Sequence, residues 1–472
     1  MTQKLIIIEI NEMPLRIFRQ FQKLRPGSHV DELIKSSQVI ETLAQDVEQS
    51  FLYPAQSWAS LNTGAPYSAH KIHWYNDPKP DEYPLYWKTL ANHGFSIGIV
   101  NSLHSSPAEA YAGSNKNYKF VIPDCFAPDS YTKPGYFEPF QKLNLKAVSS
   151  NTRVANVRVP VQDAALMVMN SPRYGIRMRT IVEGANLVYK ILRKSANRER
   201  LRNLQFPLVA DMFLHLFHKH QPDVAITFTN HVAGNMHRYW YALFPEDYPG
   251  TLYDNGWVSK YSGEITAAVD LLDGYMGELM RLARETDRIL VVVSSMGQRA
   301  NPNLTRDDIK ARAYSFRVED VPKFVGHFTK NQYSFSVDSA MVPQYTLAFR
   351  SPAEAAQFAA EVREAMDGMQ YIEMIVDQNQ EMVTLSVTLN GNVTEYVIQG
   401  RSLQCSDLGV TRVEIDDHHS GCHCPEGSLI IYNSRSTKAA QPSVDYLEYA
   451  PALLSHFGIP AAPYMSTPSF SF

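Results

Sequence analysis

The sequence predicts an α/β protein built on a doubly wound, mostly parallel sheet, and three observations carry that expectation. Residues 5–10 (LIIIEI) are a short apolar run rich in β-branched side chains, followed by a helical stretch at 15–24, the pattern of a buried parallel strand and its crossover helix. Similar runs recur at 96–100, 224–228 and 289–293 with helical stretches between them, which implies a sheet covered by helices on both faces. At 472 residues the chain exceeds one small core, so one large domain carrying inserts is expected.

Taken in order, residues 101–172 are rich in Pro, Tyr, Ser and Asn with little periodicity, as suits a loop-rich lid lying over one edge of a site. Residues 305–410 switch to short strands around one helix at 352–366. Asn390-Gly391-Asn392 there signals a hairpin between 382–389 and 393–398, and the segment reads as a small α+β insert. The core, 1–304 and 411–472, resumes with a buried strand at 428–432 and closes on an amphipathic helix at 446–457.

Bulk properties exclude several classes. A formal charge of −4 and the lack of a long basic run argue against nucleic-acid binding. The densest basic stretch, 190–202, reads as a solvated helix face, with a grip on an anionic substrate as the alternative. The N-terminal apolar run is too short for a signal peptide or a span, so a cytoplasmic protein without a membrane partner is expected. Four cysteines in this length make no disulfide framework.

In doubly wound sheets functional groups gather at the carboxyl ends of the strands. Those positions hold Asn11, Asn101, Asn230 and Ser295-Met296. Five clusters follow. Glu9-Ile10-Asn11-Glu12 ends the first strand, with Glu9 as a buried substitute ligand and Glu12 as a surface residue. Pro54, Ser57, Ser60, Asn62, Thr63-Gly64, Pro66 and His70 form the second, in which a Ser opening a helix is either an ordinary N-cap or an anion anchor. Residues 227–240 supply Asn230, His231 and His237. Residues 292–298 supply Ser295, Met296 and Gln298. The last, 416–427, supplies His423, flanked by Cys422 and Cys424, which in an extended segment face away from it.

The order of these clusters resembles type I phosphodiesterases and nucleotide pyrophosphatases of the alkaline phosphatase superfamily. The match rests on Pro54, Ser57, Thr63-Gly64, Pro66 and His70, on the strand end before His237, and on Gly421, His423 and Glu426-Gly427. That resemblance implies a Ser57 nucleophile, with Ser60 as understudy, beside two metals. Asn11, Ser295 and Met296 stand where it places two Asp and a His of the second metal, so that site is lost, and Asn230 stands where it places an Asp of the first. The first keeps His237 and His423 with His231 as a neighbour, and these three could hold at most one divalent ion, zinc by preference.

The expected function is therefore phosphodiesterase- or phosphatase-like hydrolysis or transfer on a phosphate or sulfate ester. Ser57 and His231 are the catalytic candidates; Asn11, Ser60, Asn62, Asn230, Ser295 and Gln298 bind the anionic small molecule. Two alternatives stand beside it: a pseudoenzyme that binds a phosphorylated ligand or partner protein, and a metal-free transferase or lyase in the same cleft. Oligomeric state is open.

Overall fold

The computed structural model describes residues 2–48, 51–149, 169–311, 314–338, 344–391, 393–414, 419–436 and 441–472. An eight-stranded sheet lies at its centre. The strands β1 (Lys4–Ile10), β2 (Ser37–Leu43), β3 (Ile97–Val100), β4 (Tyr118–Ile122), β5 (Val224–Thr229) and β6 (Arg288–Ser294) are joined by Ser428–Tyr432 and Ser443–Asp445. Across the sheet the order is Ser443–Asp445, β2, Ser428–Tyr432, β6, β1, β5, β3, β4. Every neighbouring pair is parallel except the two made by Ser428–Tyr432, which alone runs against the rest.

The expected mixed, mostly parallel α/β architecture is thus present, and β1 shows why. It is flanked by β5 and β6, and its side chains alternate between two separate apolar cores. Ile6, Ile8 and Ile10 pack with Ile17, Phe18 and Phe21 of α1 (Leu15–Leu24) and with Val30 and Leu33 of α2 (His29–Ser36). Leu5 and Ile7 pack with Trp58 and Leu61 of α3 (Pro54–Thr63) and with Leu453. A strand buried on both faces favours apolar side chains on each, which explains the apolar run Leu5–Ile8 that only Glu9 interrupts before Ile10. Each Ile or Leu so buried contributes roughly 1.5–3 kcal/mol.

α3 starts and stops where its sequence dictates. Pro54 occupies the first turn, where no N–H is needed, and Gly64 ends the helix at φ 66°. Ser57 is therefore the fourth helical residue, and its N–H already donates to the Tyr53 carbonyl at 2.9 Å. This corrects the expectation that Ser57 opens the helix, and with it the free N–H needed for an anion anchor at that residue.

Three further expectations differ from the structure. Part of the lid segment is sheet: Tyr118–Ile122 pairs with β3 as the edge strand, and Ala108–Ala112 and Glu138–Ser149 are helical, while residues 150–168 lie outside the described residues. The basic stretch is split, because the helix Met178–Leu192 ends inside it and a 3-10 segment, Arg198–Leu204, follows. The hairpin lies elsewhere. Met382–Leu389 pairs with Ile372–Asn379 around Gln380-Glu381, and Glu395–Ile398 pairs with Arg401–Gln404 around Gln399-Gly400. Gln399 and Gly400 both take positive φ, 47° and 76°, as a two-residue hairpin turn requires. Asn390-Gly391 instead connects two different sheets, and Asn392 lies outside the described residues.

Candidate metal centre

The carboxyl ends of β1, β5 and β6 and the added pair Gly297–Ala300 and Gly421–Cys424 converge on Glu12. The chain turns sharply there, with Glu12 at φ 55°, a costly conformation for a side chain other than glycine. That turn aims the carboxylate inward rather than to the surface. Glu12 is 3% exposed, which corrects its reading as a surface residue.

Glu12 gathers four side chains. Its Oε1 accepts a hydrogen bond from Asn11 Nδ2 at 2.8 Å. Its Oε2 accepts from Gln298 Nε2 and lies 2.8 Å from His237 Nε2 and 3.4 Å from His423 Nε2. Burial alone would raise the carboxyl, but the charges and hydrogen bonds of His237 and His423 outweigh it and hold Glu12 well below the usual carboxylate range.

The imidazoles are oriented from behind. His237 Nδ1 lies 3.2 Å from the Gly421 carbonyl and His423 Nδ1 lies 2.9 Å from the Leu52 carbonyl. A carbonyl only accepts, so both Nδ1 atoms carry a proton, and both Nε2 atoms are directed at Glu12, donating to it in the imidazolium form and able to bind a cation without that second proton. One carboxylate oxygen and two Nε2 atoms thus lie within 4.8 Å of one another, and among the described residues this is the one such group of His, Cys, Asp and Glu. Tying the second ring nitrogen to a backbone carbonyl is the usual support for a metal-binding histidine. The donor set fits a divalent cation, and three protein ligands leave a position open for a substrate. Side-chain exposure of 21% for His237 and 23% for His423 leaves that position reachable.

The glycines of this region are there for contact. A Cβ at Gly421 would fall 2.5 Å from the Met236 carbonyl, and one at Gly297 would fall 2.0 Å from the Glu426 carbonyl. Only glycine lets the strand carrying His423 sit against the helix carrying His237.

Asn11 belongs to the same network. Its Oδ1 accepts from Trp58 Nε1 and its Nδ2 donates to Asn230 Oδ1, both at 2.8 Å. Asn230, at the exposed end of β5, thereby has its oxygen engaged and its amide N–H groups available to the opening. Gln298 also donates to the Ala233 carbonyl at 3.1 Å. Cys422 Sγ faces the Ala300 carbonyl at 3.4 Å, away from Glu12.

Other sequence candidates sit apart. Ser57 and Ser295 are fully buried and share a hydrogen bond of 2.8 Å between their hydroxyls. Ser60 bonds His70 Nε2 at 2.8 Å and donates to Asp46 Oδ2 at 3.0 Å. Because the Ile72 N–H donates to His70 Nδ1, the proton lies on Nε2, and burial lowers His70 to about 4. Asn62 is fully buried with neither amide atom hydrogen-bonded.

His231 does not join the cluster. Its Nε2 lies 3.0 Å from the Ala268 carbonyl, its Nδ1 lies 2.7 Å from Thr229 Oγ1, and its ring stacks on Phe206 at 4.2 Å. Burial lowers it to about 4. Of the three expected histidines, the structure brings together His237 and His423, beside Glu12, and places His231 apart. The signal for Glu12 was its place: a carboxylate immediately after the polar residue that ends a central strand.

No family model and no curated protein matches this sequence. Among solved structures, it is similar to murine ectonucleotide pyrophosphatase/phosphodiesterase 5 at 10% identity, over 98% of this chain and 96% of that one, with a TM-score of 0.39. It is also similar to the human ectonucleotide pyrophosphatase/phosphodiesterase 5, at 9% identity over 98% and 96% with a TM-score of 0.38. Phosphonoacetate hydrolase from Sinorhizobium meliloti 1021, in complex with phosphonoformate, gives 12% identity over 95% and 94% with a TM-score of 0.38.

Proposed function

We propose that this chain is an alkaline phosphatase-like hydrolase of a phosphate or sulfate ester that works with a single divalent cation held by Glu12, His237 and His423. One observation carries the reading: both imidazoles are fixed from behind by carbonyls so that their Nε2 atoms meet one buried carboxylate. A divalent cation there supplies Lewis-acid polarisation of a phosphoryl or sulfuryl oxygen.

The chain's own groups do the rest. Glu12 provides the one negative charge of the ligand set, while Asn11 and Asn230 are neutral, which keeps the rim hospitable to an anion. The exposed Asn230 amide donates to an ester oxygen and orients it across the opening. Asn11, locked between Trp58 and Glu12, holds the carboxylate in place. Burial of Ser57 and its bond to Ser295 support water rather than serine as the attacking group. The water oxygen forms the new bond to phosphorus or sulfur as the P–O or S–O bond to the alcohol breaks, and the proton that the water gives up ends on the departing alcohol oxygen.

The test is hydrolysis of chromogenic phosphate monoesters, phosphodiesters and sulfate esters by zinc- or manganese-loaded protein. Turnover that disappears in Glu12→Gln supports the reading, and turnover retained there overturns it.

A second reading has its own observation. The 2.8 Å between His237 Nε2 and Glu12 Oε2 is a hydrogen-bond distance, as in an imidazolium–carboxylate pair. In that form the cleft binds an anion without turnover, and bound phosphate with no hydrolysis of any of the three ester types would identify it.

A further inference from the structure

The helix Met178–Leu192 offers an apolar stripe to solvent. Met178, Val182, Ala185, Tyr189 and Leu192 recur at alternating intervals of four and three, which places them on one face. All five are exposed, Met178 at 70% and Leu192 at 77%. The opposite face, with Thr180 buried and Gly184 near Leu204, is the one that meets the body. Leaving such a stripe in water forgoes the burial that would stabilise it, so a stripe this regular marks a docking surface.

Charge decides what docks. Residues 169–202 carry nine Lys and Arg against Glu183 and Glu199 in a chain whose total is −4; Arg177, Arg179 and Arg200 are paired with Asp211, Glu278 and Glu264 of neighbouring elements, which leaves Arg173, Lys190, Arg193, Lys194 and Arg198 as the exposed excess of positive charge. Arg173, Arg179, Lys190, Arg193 and Lys194 are exposed along and beyond the helix, and Arg193 lies over the Tyr189 ring at 5.5 Å. A second copy of the chain would set this positive surface against itself. An anionic bilayer complements both features, because apolar side chains enter the acyl boundary while Lys and Arg meet the headgroups.

We infer that the helix Met178–Leu192 is a membrane-surface helix that seats the protein on anionic lipid. No described helix is long and apolar enough to cross a membrane. The expectation of no membrane partner was drawn from the lack of a spanning stretch and does not bear on a helix lying in the interface. The inference stands independently of the Glu12 site.

Flotation of the full chain with phosphatidylcholine vesicles, with and without about 30% phosphatidylglycerol, tests it. The expected result is binding to the anionic vesicles alone, weakened by salt. The bound fraction should fall at least ~10-fold in Val182→Glu/Leu192→Glu and in Lys190→Glu/Arg193→Glu, with circular dichroism and the thermal melting midpoint matching the parent. Equal recovery with both vesicle types overturns it. So does a dimer in sedimentation that dissociates in Val182→Glu/Leu192→Glu, which would assign the stripe to a second copy.

Discussion

Two carboxylates three residues apart at the end of β1 are both buried, yet their surroundings push them in opposite directions. Glu9 points into the apolar core shared with α3, near Ser102, Tyr86 and Tyr449. Neither of its oxygens makes a well-formed hydrogen bond. Burial raises it to about 8, offset only in part by the Ser102 hydroxyl, so it is held neutral at pH 7. Glu12, past the turn, is just as buried but meets His237 and His423 and is held well below the usual range. Burial is common to both, and the cationic or metal-ready partner is what separates a proton-holding core residue from a ligand.

The largest effect that sharpens this contrast is at Glu12. Glu12→Gln keeps the shape and removes the charge, and its zinc affinity should drop by more than the ~10–100-fold typical of outer-shell changes, read by calorimetric titration. An unchanged affinity would place the metal elsewhere. Because the folded value of Glu12 is depressed, its contribution to stability is present above the ordinary carboxylate range and is lost as the protein is acidified.

Glu9 behaves in the reverse sense. Its folded value lies near 8 against an ordinary 4.5, so folding takes up a proton in that window and stability falls as pH rises through it. At pH 7 the loss is about 3 kcal/mol, from ~1.4 kcal/mol per pH unit. Glu9→Gln should therefore be more stable than the parent, by a margin that widens from pH 5 to pH 8 in urea melts, with zinc affinity unchanged. A margin that is flat with pH would mean that Glu9 is ionised in the folded state.

Smaller effects follow at the supports. Asn11→Ala frees the Glu12 carboxylate and should weaken zinc binding about 10-fold; because it leaves the buried Trp58 N–H unpaired, it should also cost about 1–3 kcal/mol of stability. Ser57→Ala removes one buried hydroxyl pair and should cost about 1 kcal/mol, with ester turnover within roughly threefold of the parent. A loss of turnover on the scale of a missing nucleophile, ~10⁴-fold or more, would restore Ser57 to the role that the resemblance gives it.

The sheet was legible because burial on both faces leaves few polar positions in a central strand, so 224–228 and 289–293 could be read directly. The edge strand Tyr118–Ile122 was not, since it is short and set in a Pro- and Asn-rich segment. Asn390-Gly391 misled because turn chemistry does not say which strands pair. At the site, His237 and His423 were legible from their order along the chain. Glu12 was not, because its left-handed turn reverses the side to which a strand-end residue points. His231 misled because a histidine two residues past a strand end starts the next helix and here faces Ala268.

The most direct measurement is elemental analysis of the purified chain beside Glu12→Gln, His237→Ala, His423→Ala and His231→Ala. The account predicts about one zinc or manganese per chain, retained in His231→Ala and lost in the other three. Metal retained in Glu12→Gln, or lost only in His231→Ala, would contradict it.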